Sequence, residues 1–306
     1  MGNQFRTALL LCALTVLIVL IGNLIGGRQG MIIALMFAAA MNFFSYWYSD
    51  KLVLRMYRAE ELDAKRAPWL YEIVKTLSQR AGLPMPRIYR IPQEAPNAFA
   101  TGRNPENAVV AVTDGLLNLM EKDEVQGVLA HEMAHIKDRD ILIGSIAATM
   151  AGAIMVLASM ARWSAIFGVG RDDNEGGLGG IGLIVMSILA PLGAMIIQMA
   201  ISRNREYLAD AVGARLARSP EGLARALEKL GDAGRRIPLA ANPTTAHMFI
   251  VNPLSGGGLA NLFSTHPPLE ERIARLRGIR AQKKAPPAPT VDRRRDQGRE
   301  FWERLR

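Results

Sequence analysis

The chain has 306 residues, half of them apolar, a mean hydropathy of +0.11, and 37 basic against 28 acidic residues for a formal net charge of +9. High apolarity with excess positive charge points to a membrane protein with basic segments on one side. A nucleic-acid binder is disfavoured, because no basic helix with interleaved aromatics stands out and the cations are spread among acids. The one cysteine, Cys12, excludes an intrachain disulfide, so the fold needs no oxidising compartment.

Residues 8–25 and 31–48 are two apolar runs separated by Gly26, Gly27, Arg28, Gln29 and Gly30. Each approaches or exceeds the ~18–20 residues that carry a helix across a ~30 Å hydrocarbon layer. The first is expected to be retained rather than removed as a signal peptide. It is longer than a signal core, has no evident small-x-small cleavage site, and is followed at once by a second apolar run.

A polar stretch, residues 51–140, comes next. Trp69, Leu70, Ile73, Val74 and Leu77 recur at helical spacing after Pro68, which predicts a helix over 68–82. Residues 87–91 lie between prolines with strand character, and the β-branched run 108–113 predicts another strand. Asp114 and Gly115 turn the chain into a helix with Leu116, Leu117 and Leu119. Asp123 is expected to cap the next helix, which carries Val125, Val128 and Leu129.

Residues 141–161 and 181–201 form a second apolar pair around a glycine-rich loop with Arg171, Asp172, Asp173 and Glu175. The alternative for this pair is two buried core helices. A second polar stretch follows, with helices expected over 220–231 and 267–279. From about residue 282 the chain is rich in Pro, Lys and Arg and is expected to be a solvated tail. There are no internal repeats.

Charge sets an orientation. Arg6 precedes the first run, and Lys51, Arg55, Arg58, Lys65 and Arg66 follow the second. Lys137 and Arg139 precede the third, and Arg203 and Arg205 follow the fourth. The hairpin tips carry only Arg28 and Arg171, with Arg162 near the end of the third run. Both termini and all the larger polar parts are therefore expected on the cytoplasmic side.

The chain has four histidines, and two of them stand in His131, Glu132, Met133, Ala134, His135. On a helix this spacing puts both rings on one face, one turn apart. In this arrangement two histidines bind one zinc ion and the glutamate is the general base. A catalytic zinc takes three protein ligands, and Glu206, just after the fourth run, is the best candidate for the third; His247 and His266 are rivals. Asp210, one turn beyond Glu206, can accept the free ring N–H of a metal-bound histidine. Two spans between His135 and Glu206 return the chain to the same side, as a shared metal requires.

These residues resemble the HtpX family of bacterial membrane zinc endopeptidases, itself related to the membrane proteases that process CAAX proteins. The resemblance is carried by His131 to His135, by Ser202 to Asp210, by Asn97 to Gly102 and by Ser264 to Arg272. It extends to about Arg280; the long tail departs from the usual shorter end. The resemblance implies one zinc per chain on His131, His135 and Glu206, with Glu132 as base. It also implies that Asn97, Ala98, Phe99 and Ala100 form an edge strand that pairs with a substrate peptide, and that His266 stabilises the oxyanion.

The expected fold is mainly α: a polytopic membrane protein with two transmembrane helical hairpins and a zincin-like (gluzincin) catalytic domain containing a small β-sheet. The hairpins are 8–48 and 141–201, the catalytic parts 51–140 and 202–280, and the tail 281–306. The expected activity is cleavage of misfolded or damaged membrane proteins, or of unfolded polypeptide, at the cytoplasmic face of the bacterial inner membrane under stress. One alternative is a CAAX-type processing protease. Another is a transporter or metal-handling protein with an incidental histidine pair. That last reading requires ionisable residues within the spans, whose main polar residues are Asn23, Asn42 and Gln198.

Overall fold

The computed structural model describes residues 3–146, 203–236, 250 and 267–284. Most of the second apolar pair, His247, His266 and the tail beyond residue 284 lie outside the described residues.

Helix α1 (Asn3–Met56) holds both of the first two apolar runs. Gly27 within it takes φ +53°, a conformation that costs other residues strain. Asn42 Nδ2 donates to Thr15 Oγ1 at 2.8 Å across 27 residues. A straight helix would hold those residues about 40 Å apart, so the chain doubles back between them. Gly22 makes the close return feasible: a Cβ there would meet Gly30 O at 2.6 Å and Ala34 Cβ at 2.3 Å.

Among the described residues, one helical segment is long and apolar enough to cross a membrane: Gly27–Met56, 30 residues, whose most apolar 18-residue stretch has a mean hydropathy of 1.5. Ile32, Ile33, Leu35, Met36, Phe37, Phe43 and Phe44 on it are exposed, whereas Ala38, Ser45 and Ser49 face inward. Large apolar groups outside and small ones inside is the pattern of a helix solvated by lipid. Exposed Tyr46, Trp47 and Tyr48 follow, with Lys51 Nζ 5.2 Å from the Tyr48 ring and the Arg103 guanidinium 4.7 Å from the Trp47 ring. Aromatics and cations together are characteristic of the membrane–water boundary.

The polar part is helical around a small mixed sheet. Its elements are β1 (Glu60–Glu61), α2 (Pro68–Ala81), β2 (Arg87–Ile91), β3 (Ala98–Thr101), β4 (Val109–Thr113), α3 (Asp114–Leu119) and α4 (Lys122–Lys137). After the second apolar pair come α5 (Arg203–Ala217), α6 (Glu221–Arg236) and α7 (Leu269–Lys284). The strand order is β1-β2-β4-β3, with β2 and β4 parallel and both outer strands antiparallel to their neighbours. Strand β3 is therefore an edge.

Alternation along the strands divides the sheet between two cores. Ile88, Ala98, Ala100, Val110 and Val112 pack against Leu70, Val74 and Leu77 of α2 and Val125, Val128, Leu129 and Met133 of α4. Ile91, Phe99, Val109 and Ala111 turn the other way, onto Val53, Leu54 and Tyr57 at the end of α1. The membrane helix thus runs directly into the underside of the sheet.

Local details differ from expectation in three places. Glu121, not Asp123, is the N-cap of α4, and its amide donates to Glu124 Oε2 at 2.9 Å. Asp123 instead pairs with Arg225 of α6. Helix α2 stops at Ala81 because Gly82 takes the left-handed conformation, φ +68°, and caps it. The last two helices run further than expected, to Arg236 and Lys284.

Candidate metal centre and catalytic pocket

Helix α4 carries both histidines and Glu132, and α5 carries Glu206 and Asp210. The two helices touch where α5 has no side chain. A Cβ on Gly213 would sit 2.9 Å from His131 N and 3.0 Å from His131 Cα. Glu206 lies about two turns earlier on α5 and reaches back over the histidine pair.

His131 Nε2 and His135 Nε2 are 3.2 Å apart. Glu206 Oε2 is 3.6 Å from the first and Oε1 is 3.6 Å from the second. Ligand atoms about 2.0–2.1 Å from a tetrahedral zinc ion are about 3.3 Å from one another. The donor set and its spacing therefore fit such an ion. Among the described residues this is the group of three metal-ligating side chains whose donor atoms converge, all within 4.8 Å.

Each ring is oriented through its other nitrogen. Asp210 Oδ1 lies 3.0 Å from His131 Nδ1, and Asp140 Oδ2 lies 3.2 Å from His135 Nδ1. A carboxylate there favours a proton on Nδ1 and leaves the Nε2 lone pair free to ligate. Asp140 is held by Arg205 Nη1 at 3.0 Å. Asp210 is gripped by Arg272 of α7, whose Nε and Nη2 donate at 2.8 and 2.7 Å.

Electrostatics match this geometry. Burial pushes the Glu132 carboxyl up to about 7, with the nearby Glu206 charge adding and His135 opposing. Burial would lower His135, but the hydrogen bond to Asp140 and the charges of Glu206 and Glu132 outweigh it and raise it to about 9. His131 is lowered, chiefly by burial. Burial would raise Asp210, yet Arg272 holds it down at about 2. The pocket thus retains positive charge on His135, the charge that a divalent cation would replace.

Glu132 Oε2 accepts the Ala100 amide of β3 at 2.8 Å, which places this carboxylate at the edge strand. Ala98, Phe99 and Ala100 all lie in β3, but Phe99 turns away from the pocket and packs on the Tyr57 ring at 5.8 Å. Asn97 leads into the strand and is buried. Its amide donates to Thr113 Oγ1 at 2.8 Å, and its Oδ1 accepts from Ile250 N at 3.3 Å. His266 lies outside the described residues. Sequence reasoning missed Asp140, Arg205 and Arg272. The one available signal was an acid five residues after His135 and a cation just after the fourth span.

The pattern of peptidase family M48 matches residues 64–280, more than half of the chain. The chain belongs to peptidase family M48. This M48 chain is 62% identical over 310 residues to a protease HtpX homolog of Desulfatibacillum aliphaticivorans, with 100% of each chain covered. It is 68% identical over 278 residues to a protease HtpX homolog of Desulforapulum autotrophicum, covering 90% of each. A protease HtpX homolog of Thermococcus sibiricus matches at 55% identity over 282 residues, 91% of this chain and 97% of its own. The crystal structure of S. mikatae Ste24p matches with a TM-score of 0.48 at 20% identity, over 90% of this chain and 64% of that one. Family and relatives together make the protein an M48 membrane metalloprotease of the HtpX type, a hydrolase.

Proposed function

We propose that the protein is a zinc endopeptidase of the bacterial cytoplasmic membrane that cuts misfolded or damaged membrane proteins at the cytoplasmic surface, in stress-linked quality control. The observation that carries this reading is the hydrogen bond from Ala100 to Glu132. It joins the base to an edge strand whose sheet rests on the end of an apolar, membrane-length helix. Substrate leaving the bilayer would meet the base within a short reach. His135 is six residues before the third apolar run.

In this reading His131, His135 and Glu206 hold one zinc ion, in a zincin-like domain split between two transmembrane hairpins. Bound zinc would supply Lewis-acid polarisation of the scissile carbonyl and a water of lowered pKa. Asp210 and Asp140 keep the two rings turned inward. Glu132, held at the edge strand by the Ala100 amide, would take a proton from the attacking water and return it to the leaving amine. His266 would donate to the oxyanion. A substrate strand adds along β3, from Asn97 through Ala100, by backbone pairing, so side-chain preference is loose. Orientation rests on the basic residues flanking the apolar runs, with both termini cytoplasmic.

The test compares membrane-protein fragments in cells making the wild type or Glu132→Gln. Fragments present only with the wild type are expected. An identical fragment spectrum would overturn the reading, and cleavage confined to prenylated peptides would favour the CAAX-type alternative.

A further inference from the structure

Arg272 heads the fully buried side chains of the described residues, at 0% exposure, and the chemistry set out above does not use it. A cation taken out of water is strongly disfavoured unless its donors meet well-placed acceptors. Arg272 spends its donors in two directions. Nε and Nη2 close as a fork on the two oxygens of Asp210. Nη1 donates to the Ile250 carbonyl at 3.1 Å and lies 3.7 Å from Glu206 Oε2.

Each direction continues. Asp210 Oδ1, which accepts from Nη2, is the atom 3.0 Å from His131 Nδ1. The Ile250 amide donates to Asn97 Oδ1. The Asn97 backbone is in turn clamped to Thr113 of β4, both by its amide and by its carbonyl, which accepts from Thr113 N at 2.9 Å. The contacts therefore run from His131 through Asp210, Arg272, Ile250 and Asn97 into β3. There the Ala100 amide returns to α4 at Glu132. The ring is closed, and its one cation is Arg272.

We infer that Arg272 is a positioning residue that couples metal retention to the seating of the substrate strand; this rests on the zinc pocket proposed above. The fork fixes the plane of Asp210, so that the His131 Nε2 faces His135 and Glu206. The remaining amino group fixes Ile250, and through it Asn97 and the start of β3. A lysine would preserve the charge, but its single ammonium cannot reproduce the planar fork while reaching Ile250. A strand adding to β3 loads Asn97, and that load reaches Asp210 through one guanidinium.

The full-length protein in detergent tests this, using zinc alone as the probe, with affinity read by chelator competition and folding by thermal unfolding. Arg272→Met is expected to weaken zinc binding about 10–100-fold, as losses of groups that orient a metal ligand do. Arg272→Lys is expected to fall between Met and wild type. Asn97→Ala, which touches no ligand, is expected to weaken zinc binding several-fold. The Asn97→Ala/Arg272→Lys double variant is expected to bind zinc no more weakly than Arg272→Lys, because both act on one chain of contacts. Zinc affinity unchanged in the Arg272 variants despite lower unfolding temperatures would overturn the inference. So would losses from Asn97→Ala and Arg272→Lys that simply multiply. Asn97→Ala keeps the test open should the buried variants misfold, since unaltered zinc affinity in it removes the coupling. Absence of zinc binding by the wild type would instead sink the pocket itself.

Discussion

Glu132 and Ala100 meet through a hydrogen bond of 2.8 Å from the strand amide to the carboxylate. It ties the proposed general base to the proposed substrate strand. A change at either end is felt at the other.

Glu132→Gln should lower cleavage by about 10²–10⁴-fold, the scale of general acid–base catalysis, while metal analysis finds zinc retained. The same change should stabilise the metal-free protein. The folded carboxyl titrates near 7 against an ordinary value of 4.5, so the unfolded chain releases its proton first and stability falls as pH rises between those values. Above pH 7 the penalty is fully present, on the order of 3–4 kcal/mol at ~1.4 kcal/mol per unit. Thermal unfolding of metal-free Glu132→Gln should therefore exceed wild type at pH 8 and converge with it below pH 4.5. Equal unfolding at pH 8 would show that the carboxylate is not held at a cost.

Glu206→Ala removes the carboxylate that lies 3.6 Å from each histidine Nε2. Zinc stoichiometry measured after dialysis should drop well below one per chain. Unchanged stoichiometry and affinity would exclude Glu206 as a ligand.

Asp140→Asn leaves His135 without the charge that orients it. Zinc affinity should fall about 10–100-fold. Since Asp140 also receives Arg205, Arg205→Gln should reproduce part of the loss. Full affinity in both variants would mean that His135 is oriented by other contacts.

Gly213→Ala adds one methyl group where 2.9 Å separates it from the His131 backbone. Helix α5 must shift, and Glu206 with it. Overpacking of this kind costs about 1–3 kcal/mol, visible as a lower unfolding temperature together with weaker zinc binding. Wild-type values of both would show that the helices have slack at this contact.

A reporter enzyme fused after Arg306 should report the cytoplasm, because most cations flank the apolar runs away from the hairpin tips, where only Arg28, Arg162 and Arg171 lie. Activity in the periplasm would overturn the orientation.

Local patterns in the sequence were informative where the physics is local. Strand 87–91 appears with the expected bounds, and the helix begun at Pro68 stops at the glycine that caps it. The histidine pair is legible because one helical turn fixes its geometry. Strand β3 was legible only by resemblance: all four of its residues are buried, so it shows no alternation between apolar and polar. Asp140 and Arg272 were invisible as partners, for a different reason. Arg272 lies 62 residues from Asp210, and Arg205 lies 65 from Asp140. Such pairings depend on how α5 and α7 pack, and leave no periodic trace in the chain. The cap of α4 was misread because Asp123 and Glu121 are both plausible acids, and only the partner on α6 distinguishes them.

The underside of the sheet has a practical consequence. Phe99, Val109 and Ala111 share one apolar cluster with Val53, Leu54 and Tyr57, so anchor and enzyme are not separable modules. A fragment cut after Tyr57 to obtain a soluble protease would strip one wall from the sheet and expose the back of the very strand that is to receive the peptide. For this protein, solubilisation has to keep the end of α1 attached.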